Sequence, residues 1–63
     1  MNEAEYKVRN ERDQLLLESD KYMLSDYPLT EEQRKAIIDY RQQLRDITKQ
    51  PYFPLVDWPE KPF

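Results

Sequence analysis

The placement of proline limits where this chain can form helices. The sequence has no glycine and five prolines, and four of those prolines follow residue 50. Proline fixes φ and lacks a backbone N–H, so it interrupts the interior of a helix. Helices are therefore expected only before residue 49, and residues 49–63 are expected to be extended or polyproline-like.

A first helix is predicted over about residues 3–20. This stretch contains neither proline nor glycine and is rich in Glu, Arg, Gln and Leu, which are good helix formers. Pro28 disfavours helical angles at Tyr27, so the helix should end before that point.

A second helix is predicted over residues 31–48. Thr30 and Gln33 form a capping-box pattern that marks its start. Apolar residues then recur at helical spacing and give the clearest amphipathic stripe in the chain. The connection of roughly ten residues allows an antiparallel αα-hairpin. The seam of that hairpin is expected to contain Leu15, Ile37, Tyr40, Leu44 and Ile47.

The predicted fold is thus all-α, with a helical hairpin in residues 1–48 and an extended aromatic and proline-rich docking tail in residues 49–63. A chain of 63 residues makes one domain, and such a domain hides only about 60% of the surface that its unfolded chain would expose. Small domains often compensate with disulfides, a metal or oligomerisation. The chain has neither cysteine nor histidine, which leaves oligomerisation or a partner.

Two apolar features suggest a protein-binding surface. Leu15, Leu16 and Leu17 span about 200° of a helix, which is more than one partner helix covers. The tail carries four of the eight aromatic residues. Either the tail folds back so that Trp58 covers the leucines, or its aromatic residues dock on another protein. The predicted partner-binding residues are Leu16, Leu17, Tyr52, Phe53, Trp58 and Phe63.

Charge and composition exclude several function classes. The net charge is −3 with no clustered basic face, which disfavours nucleic acid and anionic membrane surfaces. The apolar runs are far shorter than a membrane span, and the acidic start is unlike a signal peptide, so the chain is expected to stay where it is made. No metal or cofactor site is expected, because the chain lacks the zinc ligands Cys and His and any glycine-rich phosphate loop.

Carboxylates are the remaining candidates for catalysis. Asp13 with Asp46, and Glu31 with Glu32, would need a cleft that excludes water in order to act as acid and base. A chain of this size has little material for such a cleft, so no enzymatic activity is predicted and these groups are expected to be solvated.

Two further patterns have both structural and binding interpretations. The dipeptide Arg-Asp occurs at 12–13 and at 45–46, and it favours ion pairing or capping over partner recognition. The segments 51–54 and 59–62 match the loose proline pattern that SH3-type grooves bind, but they lack a basic flank.

Several segments also occur in a distinctive order and spacing. They are Arg-Asp-Gln-Leu-Leu-Leu-Glu-Ser-Asp at 12–20, Tyr-Pro-Leu-Thr at 27–30, Tyr-Arg-Gln-Gln-Leu-Arg-Asp-Ile at 40–47, Gln50, and Val-Asp-Trp-Pro-Glu-Lys-Pro at 56–62. Together they resemble the short phage tail assembly chaperone proteins. Members of that family often carry Trp and Pro where this chain has Lys21 and Thr48, departures that bear on the choice of partner rather than on the fold.

The resemblance implies a protein encoded among phage or prophage tail genes, commonly near tail-fibre genes, and made in the host bacterial cytoplasm. The first hypothesis is a non-catalytic tail accessory protein that binds tail or tail-fibre proteins and assists their assembly, with homo-oligomerisation left open. The alternative is a permanent structural component that decorates the virion tail. A third hypothesis is a regulatory ligand that offers its proline segments to a host domain.

Overall fold

The structure is a computed structural model that describes residues 2–63. These residues form two α-helices, each followed by a short 3-10 helix, and contain no strand, so their fold is all-α as predicted. Residue 1 of the predicted hairpin lies outside the described residues. The elements in chain order are α1 (Glu3–Ser19), a 3-10 helix (Asp20–Met23), α2 (Glu31–Arg45) and a second 3-10 helix (Ile47–Lys49).

Both α-helices begin with a capping box. The Thr30 hydroxyl accepts from the Gln33 backbone N–H at 3.1 Å, and the Gln33 side chain accepts from the Thr30 N–H at 2.9 Å, which confirms the predicted start of α2. Asn2 and Glu5 make the same reciprocal pair at 2.8 and 3.2 Å. Each box pairs backbone N–H groups that the first turn of a helix cannot pair internally.

Both α-helices end slightly before their predicted ends and tighten into 3-10 geometry. α1 stops at Ser19 and is followed directly by the first 3-10 helix, while α2 stops at Arg45 rather than at residue 48. The Asp46 N–H, at the end of α2, is shared between the carbonyls of Gln42 and Leu44. At the end of α1 the Asp20 N–H donates to the Leu17 carbonyl, a 3-10 bond of the kind that satisfies carbonyls an α-helix leaves unpaired at its end.

The core consists of the apolar stripe of α2 and Ile47, the first residue of the second 3-10 helix. Ile37, Tyr40, Leu44 and Ile47 are each at most 2% exposed, which confirms their predicted burial. Leu15 of α1 is only half-buried. Burying a large apolar side chain contributes about 1.5–3 kcal/mol, so these four side chains are the main apolar contribution to stability.

The prediction of no helix and an extended chain from residue 49 is wrong at the start of the tail, because Lys49 ends the second 3-10 helix and turns follow it. Residues 51–55 form turns in which the Phe53 N–H donates to the Gln50 carbonyl at 3.1 Å and the Leu55 N–H donates to the Tyr52 carbonyl at 2.8 Å. Pro51 occupies the second position of the first turn, where its fixed φ is favoured. Proline prevents helix here, but it permits tight turns as readily as extended chain.

The described chain measures 40 × 18 × 14 Å, so it is elongated and thin. No helix within residues 2–63 is long and apolar enough to cross a membrane.

Candidate protein-binding surface

Arg41 joins α2 to the end of α1. Its Nη1 donates to the Leu16 carbonyl at 2.9 Å and to the Ser19 hydroxyl at 2.6 Å, and it lies 2.9 Å from Asp20 Oδ1. Ser19 is fully buried and donates its own hydroxyl to the Leu16 carbonyl at 2.9 Å. Because the last turn of α1 has no basic residue of its own, Arg41 supplies positive charge where the helix dipole favours it.

Gln50 closes the first part of the tail into a loop. Its side-chain Nε2 donates to the Asp57 carbonyl at 2.9 Å, and its Oε1 accepts from the Asp57 N–H at 2.8 Å. Within the loop, the Phe53 ring lies 5.4 Å from the Arg9 guanidinium carbon, a cation–π contact with α1. The loop of residues 50–57 is therefore closed at its base and anchored on the first helix.

This loop presents two large apolar side chains to solvent. Tyr52 is 76% exposed and Leu55 is 79% exposed, although both lie on turns with defined backbone hydrogen bonds. We call these two residues the tail tip. A fixed backbone lowers the entropy that is lost when exposed side chains are bound, and the tail tip has such a backbone.

The end of the tail contacts the opposite end of α1. Lys61 Nζ lies 2.9 Å from Glu18 Oε1, and the Phe63 ring packs at centroid distances of 4.6 Å from Tyr22 and 5.7 Å from Tyr40. The contact with Tyr40 is edge-to-face, a geometry that favours aromatic pairs. The tail therefore contacts α1 at two separate points, near its middle at Arg9 and in its last turn at Glu18.

Tyr40 has an unusual environment beneath this contact. The residue is 2% exposed, and its hydroxyl is buried without a hydrogen-bond partner among the described residues. Burial raises the pKa of Tyr40, the nearby charge of Lys61 lowers it, and that of Glu18 raises it. The hydrogen bond and charge of Glu18 in turn raise the pKa of Lys61.

The four carboxylates considered as candidates for catalysis make local contacts or lie at the start of a helix. Asp13 pairs with Arg12 at 2.7 Å, as the Arg-Asp pattern predicted, whereas Asp46 pairs with Lys49 at 3.5 Å and accepts from Gln42. Glu31 and Glu32 lie in the first turn of α2. Over residues 2–63 there is no pocket and no group of three potential metal ligands.

Comparison with known proteins assigns the family. The sequence model of the family described as phage tail assembly chaperone protein matches residues 5–63, nearly the whole chain. The chain belongs to this phage tail assembly chaperone family. The predicted resemblance is thereby confirmed. No curated protein and no solved structure matches the chain.

The residues predicted to bind a partner in this family member fall into two groups. Leu17 is 68% exposed and Tyr52 is also exposed, so both are accessible. Leu16, Phe53 and Trp58 are half-buried, and Phe63 is 42% exposed against two tyrosines. The second group already contacts the chain's own helices through Phe53 and Phe63, so only part of the predicted set is free to meet a partner.

Sequence reasoning missed four residues that organise this surface. They are Arg41, Gln50, Leu55 and Lys61. A basic residue at position 41 falls between the stripe residues Tyr40 and Leu44, and that placement signals a polar contact within an otherwise apolar interface. Gln50 belongs to the family pattern but had no assigned role. Lys61 likewise lies in the family segment 56–62 without an assigned role, and Leu55 lies outside the family segments; the roles of both depend on how the tail turns.

Proposed function

We propose that this member of the tail assembly chaperone family binds tail or tail-fibre proteins of a phage and assists their assembly without catalysing a reaction. The tail tip carries this proposal. An exposed tyrosine and an exposed leucine on a closed, anchored loop have the character of interface anchors. The family to which the chain belongs assigns the binding to phage tail components.

The fold supports a docking role. We propose that α1 and α2 form an antiparallel hairpin, because Arg41 meets the end of α1 while Arg9, earlier in α1, meets Phe53, which lies beyond α2. In this arrangement residues 49–63 act as a docking tail along the hairpin. Assembly of tail proteins would place the protein in the host bacterial cytoplasm.

A double substitution at the tail tip tests the proposal. Tyr52→Ser with Leu55→Ser should leave the free energy of unfolding within about 0.5 kcal/mol of the wild type, because both side chains are exposed. Capture of the phage's purified tail-fibre protein should weaken by at least about thirtyfold, since two interface anchors of about 1 kcal/mol or more each contribute about 2 kcal/mol together. Titration calorimetry and urea unfolding give the two measurements.

Ile38→Ser provides a matched control. Ile38 is an exposed apolar residue on α2, about 200° around that helix from the buried Tyr40. Its substitution should leave capture unchanged. Equal binding by the wild type and the tail-tip variant would exclude the tail tip as the contact site.

The alternative is a permanent structural component of the virion tail. Exposed apolar side chains also occur away from the tail tip, at Leu17 and Leu24, which favours contact with more than one neighbour. Mass spectrometry of purified mature particles separates the two functions. A fixed stoichiometry with tail proteins indicates a structural component, whereas absence from particles but presence in infected lysate indicates a transient assembly factor.

A further inference from the structure

The last three residues occupy a distinct site on the helices. Phe63 packs against Tyr22 and Tyr40, and Lys61 pairs with Glu18. We call Glu18, Tyr22 and Tyr40 the latch site, and the segment 61–63 the latch. The site combines one negative charge with two aromatic rings, so it selects a basic group close to an aromatic group.

The latch is held only by weak contacts. Within the described residues, no backbone hydrogen bond joins residues 58–63 to either helix. The side chains of Lys61 and Glu18 are 46% and 48% exposed, and exposed ion pairs contribute little to stability. Phe63 keeps 42% of its surface in solvent. The segment can therefore leave the latch site without unfolding the helices.

The latch also leaves the site incomplete. The Tyr40 hydroxyl is buried and has no acceptor among the described residues. Buried hydroxyl groups in proteins are normally paired, and an unpaired donor is unfavourable. An occupant that brought an oxygen acceptor to this hydroxyl would bind better than the chain's own tail does.

We propose that the latch is exchangeable, and that a segment of the tail component displaces it and binds the latch site. This inference rests on the proposed function and adds the recognition chemistry. The incoming segment carries a basic residue that pairs with Glu18 and an aromatic residue two positions later that packs on Tyr22 and Tyr40. It also carries a carbonyl or carboxylate oxygen that accepts the Tyr40 O–H.

The first experiment measures exchange with a peptide. The probe is the synthetic peptide Trp-Pro-Glu-Lys-Pro-Phe, which has the sequence of residues 58–63. It is titrated into the full-length Phe63→Ala variant with isotope-labelled tyrosine, and the ring signals of Tyr22 and Tyr40 are followed by NMR. Saturable shifts are expected. The wild type should need at least about tenfold more peptide, because its own tethered latch competes at high effective concentration.

Two controls define specificity. The same peptide with alanine in place of its final phenylalanine should shift neither tyrosine. The full-length Gln14→Ala variant, altered at an exposed position of α1 with its latch intact, should respond like the wild type. The proposal is overturned if the folded Phe63→Ala variant shows no shifts, or if it binds the peptide no better than the wild type does.

A second variant covers the case in which Phe63→Ala does not fold. Lys61→Glu places a negative charge against Glu18 and weakens the latch without removing an aromatic ring. The wild-type peptide should bind this variant more tightly than it binds the wild-type protein. Equal binding to both proteins contradicts the proposal.

Competition separates this inference from the function on which it rests. If the purified tail-fibre protein is captured and the hexapeptide lowers that capture, the latch site belongs to the binding surface together with the tail tip. If the peptide leaves capture unchanged, the proposal of an exchangeable latch is wrong and the proposed function stands. Peptide exchange without capture of any purified tail protein would show that the latch can be displaced, but it would contradict the proposed function. If the wild type forms concentration-dependent dimers that the peptide dissociates, the latch site binds a second copy of the chain. That result would overturn the proposal that a tail protein occupies the site.

Discussion

At the residue scale, Arg41 combines three interactions in one side chain. It pairs a carbonyl that α1 leaves free at Leu16, binds the buried Ser19 hydroxyl and faces the Asp20 carboxylate. Its side chain is only 16% exposed, so these bonds are shielded from water. Hydrogen bonds to charged groups contribute more than neutral ones, and this cluster therefore fixes the end of α1 against α2.

Arg41→Ala should lower the free energy of unfolding by about 1.5–3 kcal/mol, because it removes charged hydrogen bonds to a buried hydroxyl and a helix-end carbonyl. Urea unfolding followed by circular dichroism measures the change. Arg45→Ala is the matched control on the same helix: Arg45 is exposed and makes one long 3.4 Å bond to Gln42, so a change within about 0.5 kcal/mol is expected. Equal losses in both variants would contradict the role given to Arg41.

At the element scale, the tail depends on its contacts with helices rather than on its own secondary structure. Beyond the 3-10 helix Ile47–Lys49 it has turns and then neither helix nor strand. The Gln50 side chain substitutes for a backbone partner by both donating to and accepting from Asp57. An amide side chain can do this because it offers a donor and an acceptor in one plane.

Gln50→Glu should open this loop. A carboxylate keeps the acceptor for the Asp57 N–H but removes the donor to the Asp57 carbonyl and places negative charge against it. If the free energy needed to open the loop of residues 50–57 falls by about 1–2 kcal/mol, exchange of the Asp57 amide hydrogen should accelerate by roughly 5–30-fold. Gln14→Ala, at an exposed position of α1, should leave that rate unchanged. An unchanged rate in Gln50→Glu would show that the clamp does not hold the loop.

At the scale of the whole molecule, a thin core is supplemented by the returning tail. Four side chains form the buried core, and the tail adds contacts with the middle of α1 through Phe53 and with its last turn through the latch. A domain of this size buries a small share of its surface, so such peripheral contacts weigh more than they would in a larger protein. Stability should therefore respond to the ionisation of the buried Tyr40 and, to a smaller extent, of the exposed Lys61.

The free energy of unfolding should fall as the pH rises above about 10. The pKa of Lys61 is raised from 10.5 in the folded state, so the stabilisation from its pair with Glu18 is complete below that value and is lost as the pH passes the folded pKa. The pKa of Tyr40 is raised from 10.0, so the unfolded chain ionises first and alkaline pH favours unfolding with the same sign. Urea unfolding at pH 8 and pH 11 measures the decrease.

The full-length double variant Tyr40→Phe with Lys61→Gln is the control for this pH dependence. It removes both titrating groups and should show a smaller decrease between the two pH values. It also removes the unpaired hydroxyl, so it should not be strongly destabilised at pH 8. An identical decrease in wild type and variant would assign the alkaline effect to other groups.

Much of the secondary structure followed from local patterns. The Thr30 capping box fixed the start of α2, and the stripe of Ile37, Tyr40 and Leu44 marked the buried face, because capping and amphipathicity depend on residues within one or two turns. The chemistry of proline excluded helix from residue 49 onward, which is correct for residues 50–63 but wrong for Lys49, the last residue of the second 3-10 helix.

By itself, the sequence thus determined where the helices begin, which face of α2 is buried and to which family the chain belongs. Only the tertiary structure decided that the tail turns at residue 51, that its tip stays exposed and that Phe63 lies on Tyr22 and Tyr40. It also paired Arg41 with Ser19, which is 22 positions earlier, and Lys61 with Glu18. These contacts join residues far apart in the chain, and their formation depends on how the folded segments approach one another in space, which no local pattern encodes.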